Sequence, residues 1–359
     1  MSSDIYGHQL LAHRLEQIPG ELAGMIVRGL PQLRPGTLAA EQFVVTGTGS
    51  SEAHARYFTH LINLNTDRTA IFLPLSAFLN PSLDHMRDRT LVVFTQGLSP
   101  NAQIALRRHA DFAHTILFTS ITPVAARAAG KPDRADLITD VVEAGGDLVL
   151  FPLAEEYSTL IRFVGPMCGY LVCQQFIAQL SQSDCAPPRP GQILPLLDHP
   201  IPADLEEAIL NKPELFRNGF NLVCAAPISD FAQNLACKFM EGLFWQCPQV
   251  SDFLQFAHGP FQQASAQPRP IVVLQGELPV ENELVARSAA MAKSASLPFF
   301  VVKVNAYSLY SIFGFESVFN QLIMKAMVKF NVDQLNWPGK GRDDALYGFC
   351  SDPGTKNVS

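Results

Sequence analysis

Short apolar stretches at residues 43–45, 69–73, 91–95, 115–119 and 148–151 recur through the first half of this chain, separated by polar and helix-forming segments. Each is too short to cross a membrane and too continuously apolar for a strand wetted on one face. The pattern predicts an α/β fold with a mostly parallel sheet covered by helices on both sides. Such sheets collect ligands at the carboxyl ends of their strands. Ahead of the first strand, residues 6–18 and 21–30 have helical spacing and are expected to form two helices divided by Pro19-Gly20.

The first strand end carries the most chemistry. Glu41-Gln42-Phe43-Val44-Val45 runs into Thr46-Gly47-Thr48-Gly49-Ser50-Ser51, and residues 52–61 read as the helix opened by that turn. A strand that delivers Gly and Ser into a helix N-terminus leaves several backbone N–H groups without intrahelical acceptors, which suits an anion. The plainer reading is an ordinary turn with Ser50 or Ser51 as its cap. Thr95-Gln96-Gly97-Leu98-Ser99-Pro100-Asn101, ahead of a helix at 102–109, repeats the arrangement. A phosphate could lie between the two loops.

With 359 residues and 48% hydrophobic content the chain suits two domains. The expected organisation is a helical segment at 1–34, a first α/β domain at 35–182, a linker at 183–203, a second domain at 204–345 and a tail at 346–359. Pro187, Pro188, Pro190, Pro195, Pro200 and Pro202 mark the linker. A formal charge of −7 argues against a nucleic-acid partner. The seven cysteines have neither a disulfide-framework nor a metal-ligand spacing, and no apolar leader or membrane-length run is seen, so a cytoplasmic protein with reduced thiols and no membrane contact is expected. Neither metal nor cofactor is expected, because no ligand cluster or complete nucleotide fingerprint is found. The apolar stretch 160–180 is interrupted by Pro166 and Gly169 and reads as a buried helix from about Met167, with Glu156 and Thr159 either facing a ligand or capping its entrance.

The second domain is expected to hold a helix at 205–210, strands at 220–225, 253–256, 271–274 and 299–302, and helices at about 229–246, 282–293 and 318–330. On the 229–246 helix, Asn234, Lys238, Glu241 and Trp245 share a stripe beside Phe231, Leu235 and Gly242. Glu241 is then near a core boundary, where burial raises a carboxyl pKa towards that of a working base. The alternative is a surface pair of Glu241 with Lys238. His258-Gly259-Pro260 holds an imidazole in a fixed turn, suited to proton transfer or merely incidental. Lys340, between Gly339 and Gly341, either reaches a ligand or is solvated.

Taken in order over residues 35–345, these motifs resemble the tandem sugar-isomerase-domain (SIS) family, which includes the isomerase half of glutamine-fructose-6-phosphate aminotransferase. The resemblance implies two flavodoxin-like three-layer αβα domains, a homodimer, and a phosphorylated sugar or aminosugar as ligand. The activities it implies are phosphosugar isomerase, aminosugar-phosphate deaminase or fructosamine-phosphate deglycase. The family's Cys-Gly-Thr-Ser phosphate turn is matched by Thr48-Gly49-Ser50-Ser51, which assigns phosphate contacts to Gly49, Ser50 and above all Ser51. Its Ser-Gln-Ser-Gly-Glu-Thr loop meets Thr95-Gln96-Gly97-Leu98-Ser99-Pro100, so Thr95 and Gln96 carry over while Gly97 and Pro100 replace hydroxyl residues, with Ser99 or Asn101 placed to compensate. Lys-x-x-Glu matches Lys238 to Glu241, and Glu-Leu-Lys-His-Gly-Pro meets Gln255-Phe256-Ala257-His258-Gly259-Pro260. Glu241 thereby takes the role of the base acting between the first two sugar carbons, and His258 that of the ring opener. The Pro-Arg-x-Leu-x-Lys ending is not matched clearly after Asp333, leaving Lys340 as the late lysine. The altered second loop also suits a non-catalytic sugar-phosphate-binding regulatory protein.

Overall fold

The computed structural model describes residues 4–80, 83–152, 156, 158–181, 187–306 and 309–350. The first sheet contains β1 (Gln42–Thr46), β2 (Thr69–Phe72), β3 (Thr90–Phe94), β4 (His114–Thr119) and β5 (Asp147–Leu150). They lie side by side in the order β2-β1-β3-β4-β5, every neighbouring pair parallel. Alternation along the strands sends side chains to two cores. On one face Phe43, Phe94 and Phe118 surround Phe58 of the Ser50–Asn65 helix and Phe176 of the Val164–Leu180 helix. On the other, Val44, Leu91, Val93 and Leu117 pack with Ile104, Leu106, Leu137 and Ile138.

The second sheet contains β6 (Asn221–Cys224), β7 (Gln249–Asp252), β8 (Ile271–Gln275) and β9 (Phe299–Lys303), ordered β7-β6-β8-β9 and again parallel throughout. Val223, Ile271 and Val273 pack with Phe253, Phe256 and Ala292. Phe220 and Phe319 meet Phe239 of the Gln233–Leu243 helix. That helix approaches the Ser311–Phe330 helix closely: a β-carbon on Gly242 would lie 2.5 Å from Cγ2 of Ile323. The two-layer flanking of two parallel sheets agrees with the expected α/β class.

The two sheets anchor two compact units that are discontinuous in sequence. One consists of residues 24–154, 168–188 and 338–359, the other of residues 1–23, 155–167 and 189–337. Among the described residues no helix is long and apolar enough to cross a membrane.

Three local expectations need correction. Residues 6–30 form a single helix, His8–Arg28, with Pro19 inside it. Leu11, Ile18, Leu22 and Met25 are buried along one face, and that burial offsets the roughly 3 kcal/mol that an interior proline costs. Residues 253–256 are not a strand. Asp252 ends β7, accepts a hydrogen bond from Leu254 N–H at 2.8 Å and starts a one-turn helix, Phe253–Phe256. The helix expected at 229–246 is two pieces, Ile228–Phe231 and Gln233–Leu243, the second closed by Phe244 in the left-handed region at φ 55°. In the proline-rich stretch, Pro190–Ile193 and Leu194–Asp198 are short helical turns that bury Ile193, Leu196 and Leu197.

Candidate active site

In the first sheet β1 and β3 are adjacent but not consecutive, and connections leave them towards opposite faces, so a crevice opens beyond their carboxyl ends. The register pairs Thr46 with Val93, bringing the two loops off the sheet at the same level. Their nearness was not encoded in either loop; it follows from the strand order.

The first loop is unusually tight. A β-carbon on Gly47 would stand 2.3 Å from the carbonyl oxygen of Ser51, so only glycine lets the backbone fold back on itself there. Gly49 has φ 61° and ψ −135°, a conformation costly for other residues, and its carbonyl accepts from Glu52 N–H at 3.0 Å. Among the described residues, no backbone carbonyl accepts from the N–H groups of Thr48, Gly49, Ser50 or Ser51. These donors and the N-terminal dipole of the Ser50–Asn65 helix favour an anion. Ser51 is buried, and the buried Oγ1 of Thr46 has no hydrogen-bond partner among the described residues.

The second loop supplies a similar surface. Thr95 and Gln96 are buried, and the Gln96 carbonyl accepts from Thr119 Oγ1 at 3.1 Å and Ser120 N–H at 3.0 Å. Leu98 adopts φ 49°, while no backbone carbonyl among the described residues accepts from the N–H groups of Gly97, Leu98 or Ser99. Ser99 caps the Pro100–Leu106 helix by accepting from Ala102 N–H at 3.4 Å. Asn101 instead donates to the carbonyls of Leu346 and Phe349 at 2.9 and 3.1 Å. It thereby shares a cavity of about 400 Å³ with Thr48, Leu75, Ser76 and Tyr347. Two groups escaped sequence reasoning. Arg134 donates to the Gly97 carbonyl at 2.5 Å, placing a guanidinium at the loop, and Ser120, just after β4, has a buried hydroxyl with no hydrogen-bond partner among the described residues. Neither has a local motif that marks it.

In the unit built on the second sheet, Glu241 lies in the last turn of the Gln233–Leu243 helix. Burial pushes its carboxyl pKa above the usual carboxylate range, and the charges of Lys238 and Arg162 only partly oppose the shift. The alternative, a surface pair of Glu241 with Lys238, is not formed among the described residues. Lys238 is buried and joins Glu316 at 2.9 Å, where Asn234 also donates to Glu316 at 2.6 Å. Lys238 acts on Glu241 through its field. Gln334 fixes the helix end by donating to the carbonyls of Glu241 and Gly242 at 2.9 and 3.1 Å.

His258 is exposed, after the Phe253–Phe256 turn and before Gly259 at φ 125°, and no hydrogen bond joins it to Glu241 among the described residues. Lys340 is exposed between Gly339 and Gly341, both with positive φ, and belongs to the unit of the first sheet. Glu156 is fully buried and accepts from the N–H groups of Phe163, Val164 and Gly165 at 2.7 to 2.8 Å, capping the Val164–Leu180 helix. Thr159 receives Arg14 at 2.6 Å. Among the described residues no group of three His, Cys, Asp or Glu is placed to hold a metal ion.

No protein-family model and no curated protein sequence matches the chain. Solved structures do. The C-terminal domain of glucosamine-fructose-6-phosphate aminotransferase from Francisella tularensis aligns over 93% of this chain and 99% of its own, with TM-score 0.66 and 13% identity. Glucosamine-6-phosphate deaminase from Thermotoga maritima aligns over 92% and 96%, with TM-score 0.59 and 14% identity. Tagatose-6-phosphate ketose/aldose isomerase from Escherichia coli aligns over 92% and 95%, with TM-score 0.59 and 13% identity. At 13–14% identity the likeness is one of fold: over about nine-tenths of its length the chain has the tandem sugar-isomerase-domain fold.

Proposed function

We propose that this protein is an enzyme that binds a phosphorylated sugar or aminosugar and moves a proton between its first two carbons, as a phosphosugar isomerase, aminosugar-phosphate deaminase or fructosamine-phosphate deglycase. The observation that carries this reading is the pair of loops at the β1/β3 crevice, with consecutive unaccepted backbone N–H groups and buried hydroxyls. Mono-anionic groups need few such donors; a phosphate dianion uses many. The names of the structures with the same fold, a deaminase and an isomerase of sugar phosphates among them, agree with that ligand class.

Ser51, Ser50, Gly49, Thr95, Gln96 and Ser99 hold the phosphate, and remote binding energy places the reacting carbons. His258 assists ring opening by moving a proton at the ring oxygen. Glu241, with its raised pKa, takes the proton alpha to the open-chain carbonyl or imine and returns it to the neighbouring carbon through an enediol or enolamine. Lys340 stabilises the developing oxygen charge or forms an imine with the open-chain sugar. The protein acts as a cytoplasmic homodimer in this reading. Asn101, whose amide is engaged by the segment carrying Leu346 and Phe349, favours a second reading in which the chain binds a sugar phosphate without turning it over.

Proton NMR in heavy water, with a panel of ketose, aldose and aminosugar phosphates and an ammonia assay on the same samples, separates the readings. Deuterium uptake beside the carbonyl that disappears in Glu241→Gln is expected. Ligand line broadening without uptake across the panel would replace catalysis with binding.

A further inference from the structure

We infer that Cys237 and Cys247 form a peroxide-responsive dithiol that closes to an intramolecular disulfide one helical turn from Glu241. Cys237 lies on the Gln233–Leu243 helix, and the chain reverses immediately after it. Phe244, at φ 55°, donates its N–H to Met240 O at 3.1 Å, and Trp245 N–H donates to Phe239 O at 3.2 Å. Gln246 N–H then bonds to Arg217 O and Gln249 N–H to Phe220 O, holding the segment that enters β7 back beside the helix.

The reversal brings Cys247 to Cys237. The amide Nε2 of Gln233 contacts both sulfurs, at 3.7 Å for Cys237 and 3.3 Å for Cys247, so one side chain bridges the two thiols. Cys168, Cys173 and Cys224 are buried, whereas Cys237 and Cys247 are both partly exposed. Cys350 is also partly exposed, but only Cys237 and Cys247 among the described cysteines share a contacting side chain, Gln233. Among the described residues no further His, Cys, Asp or Glu joins them to complete a metal site.

The microenvironment divides the labour. The neighbouring Cys237 thiol lowers the Cys247 pKa to about 7, and the Gln233 amide adds to the effect against burial and the Glu241 charge. The neighbouring Cys247, with burial and the Glu241 charge, drives Cys237 up. The lowered pKa favours Cys247 as the nucleophile, with Cys237, bridged to it by the Gln233 amide, as the resolving thiol. The Cys247 thiolate attacks one peroxide oxygen, the O–O bond breaks, and protonation of the departing hydroxide gives water and a sulfenic acid on Cys247. The Cys237 sulfur then attacks Cys247, the S–S bond forms, the S–O bond breaks, and hydroxide leaves as water with the Cys237 proton. Two thiols lose two electrons and hydrogen peroxide becomes two waters.

The test uses the intact protein and reads thiol chemistry rather than turnover, so it stands or falls separately from the proposed enzymatic activity. After brief hydrogen peroxide treatment and rapid alkylation, non-reducing peptide mass spectrometry should find the Cys237 and Cys247 peptides joined and lighter by two hydrogens, a link removed by dithiothreitol. With Cys237→Ser, dimedone should instead trap sulfenic acid on Cys247. Absence of the joined peptides in the wild-type protein, or peroxide-driven linkage of Cys247 to another cysteine, would overturn the inference.

Discussion

Replacing Glu316 by Gln removes one charge from a pair whose members are 3% and 0% exposed while retaining the side-chain volume and an oxygen for Asn234. At 2.9 Å, and with an effective dielectric of about 20, the Lys238–Glu316 attraction is about 6 kcal/mol before the solvation of either ion is counted. In Glu316→Gln the Lys238 ammonium stays buried with the Arg162 carbonyl at 3.5 Å and the face of Phe163 as its contacts, and the Glu241 carboxyl, whose own pKa is raised by burial, acts on it only through its field. The expected loss of stability is about 3–5 kcal/mol, the usual cost of stranding one buried ion. Both tryptophans, Trp245 and Trp337, belong to the unit built on the second sheet, so urea unfolding followed by their fluorescence reports this unit without interference from the other. Lys238→Met combined with Glu316→Gln removes both charges and should recover to within about 1–2 kcal/mol of wild type, because no buried ion is then left without its counter-charge and the amide oxygen introduced at position 316 still serves Asn234. A loss below about 1 kcal/mol for Glu316→Gln, or a double variant as unstable as the sum of the singles, would refute the claim that charge compensation holds this core together.

Ser51→Ala should weaken binding of a phosphorylated sugar by roughly tenfold, the value of one charge-assisted hydrogen bond, while leaving an unphosphorylated sugar unchanged in titration calorimetry. Equal losses for both ligands would remove Ser51 from the phosphate site. Glu241 supplies a pH dependence with a definite sign. Its folded pKa lies above the ordinary glutamate value of 4.5, so its proton stabilises the fold fully below pH 4.5, and that contribution is lost as pH rises through the folded pKa. Glu241→Gln has no proton to lose. The urea midpoint of Glu241→Gln minus that of wild type should therefore grow from pH 4 upward, and a difference that shrinks with pH would contradict burial as the cause.

Much of the fold was legible because β-strands buried on both faces must be apolar at nearly every position. Residues 43–45, 91–95 and 115–119 announce themselves in this way and appear as β1, β3 and β4 within a residue or so of the expected bounds. The glycines of the first loop were equally legible, since Gly47 and Gly49 answer local backbone demands. Elements whose conformation depends on distant contacts were not. Pro19 looked like a stop, and burial of Ile18 and Leu22 carried the helix through it. Phe253–Phe256 looked like a strand because its apolar content, read alone, does not separate a strand from a turn of helix.

The sequence by itself determined the class of the protein, two runs of buried parallel strands, and the two hydroxyl- and glycine-rich loops that suit an anion, because periodicity and turn chemistry act over a few neighbouring residues. Tertiary structure decided that β1 and β3 lie side by side, so that those loops share one crevice, and that Arg134 reaches the second of them. It also decided the electrostatics around Glu241. A lysine three residues earlier on a helix reads as its partner, yet Lys238 turns to Glu316, far along the chain, because a buried cation takes the fully desolvated carboxylate that packing brings to it.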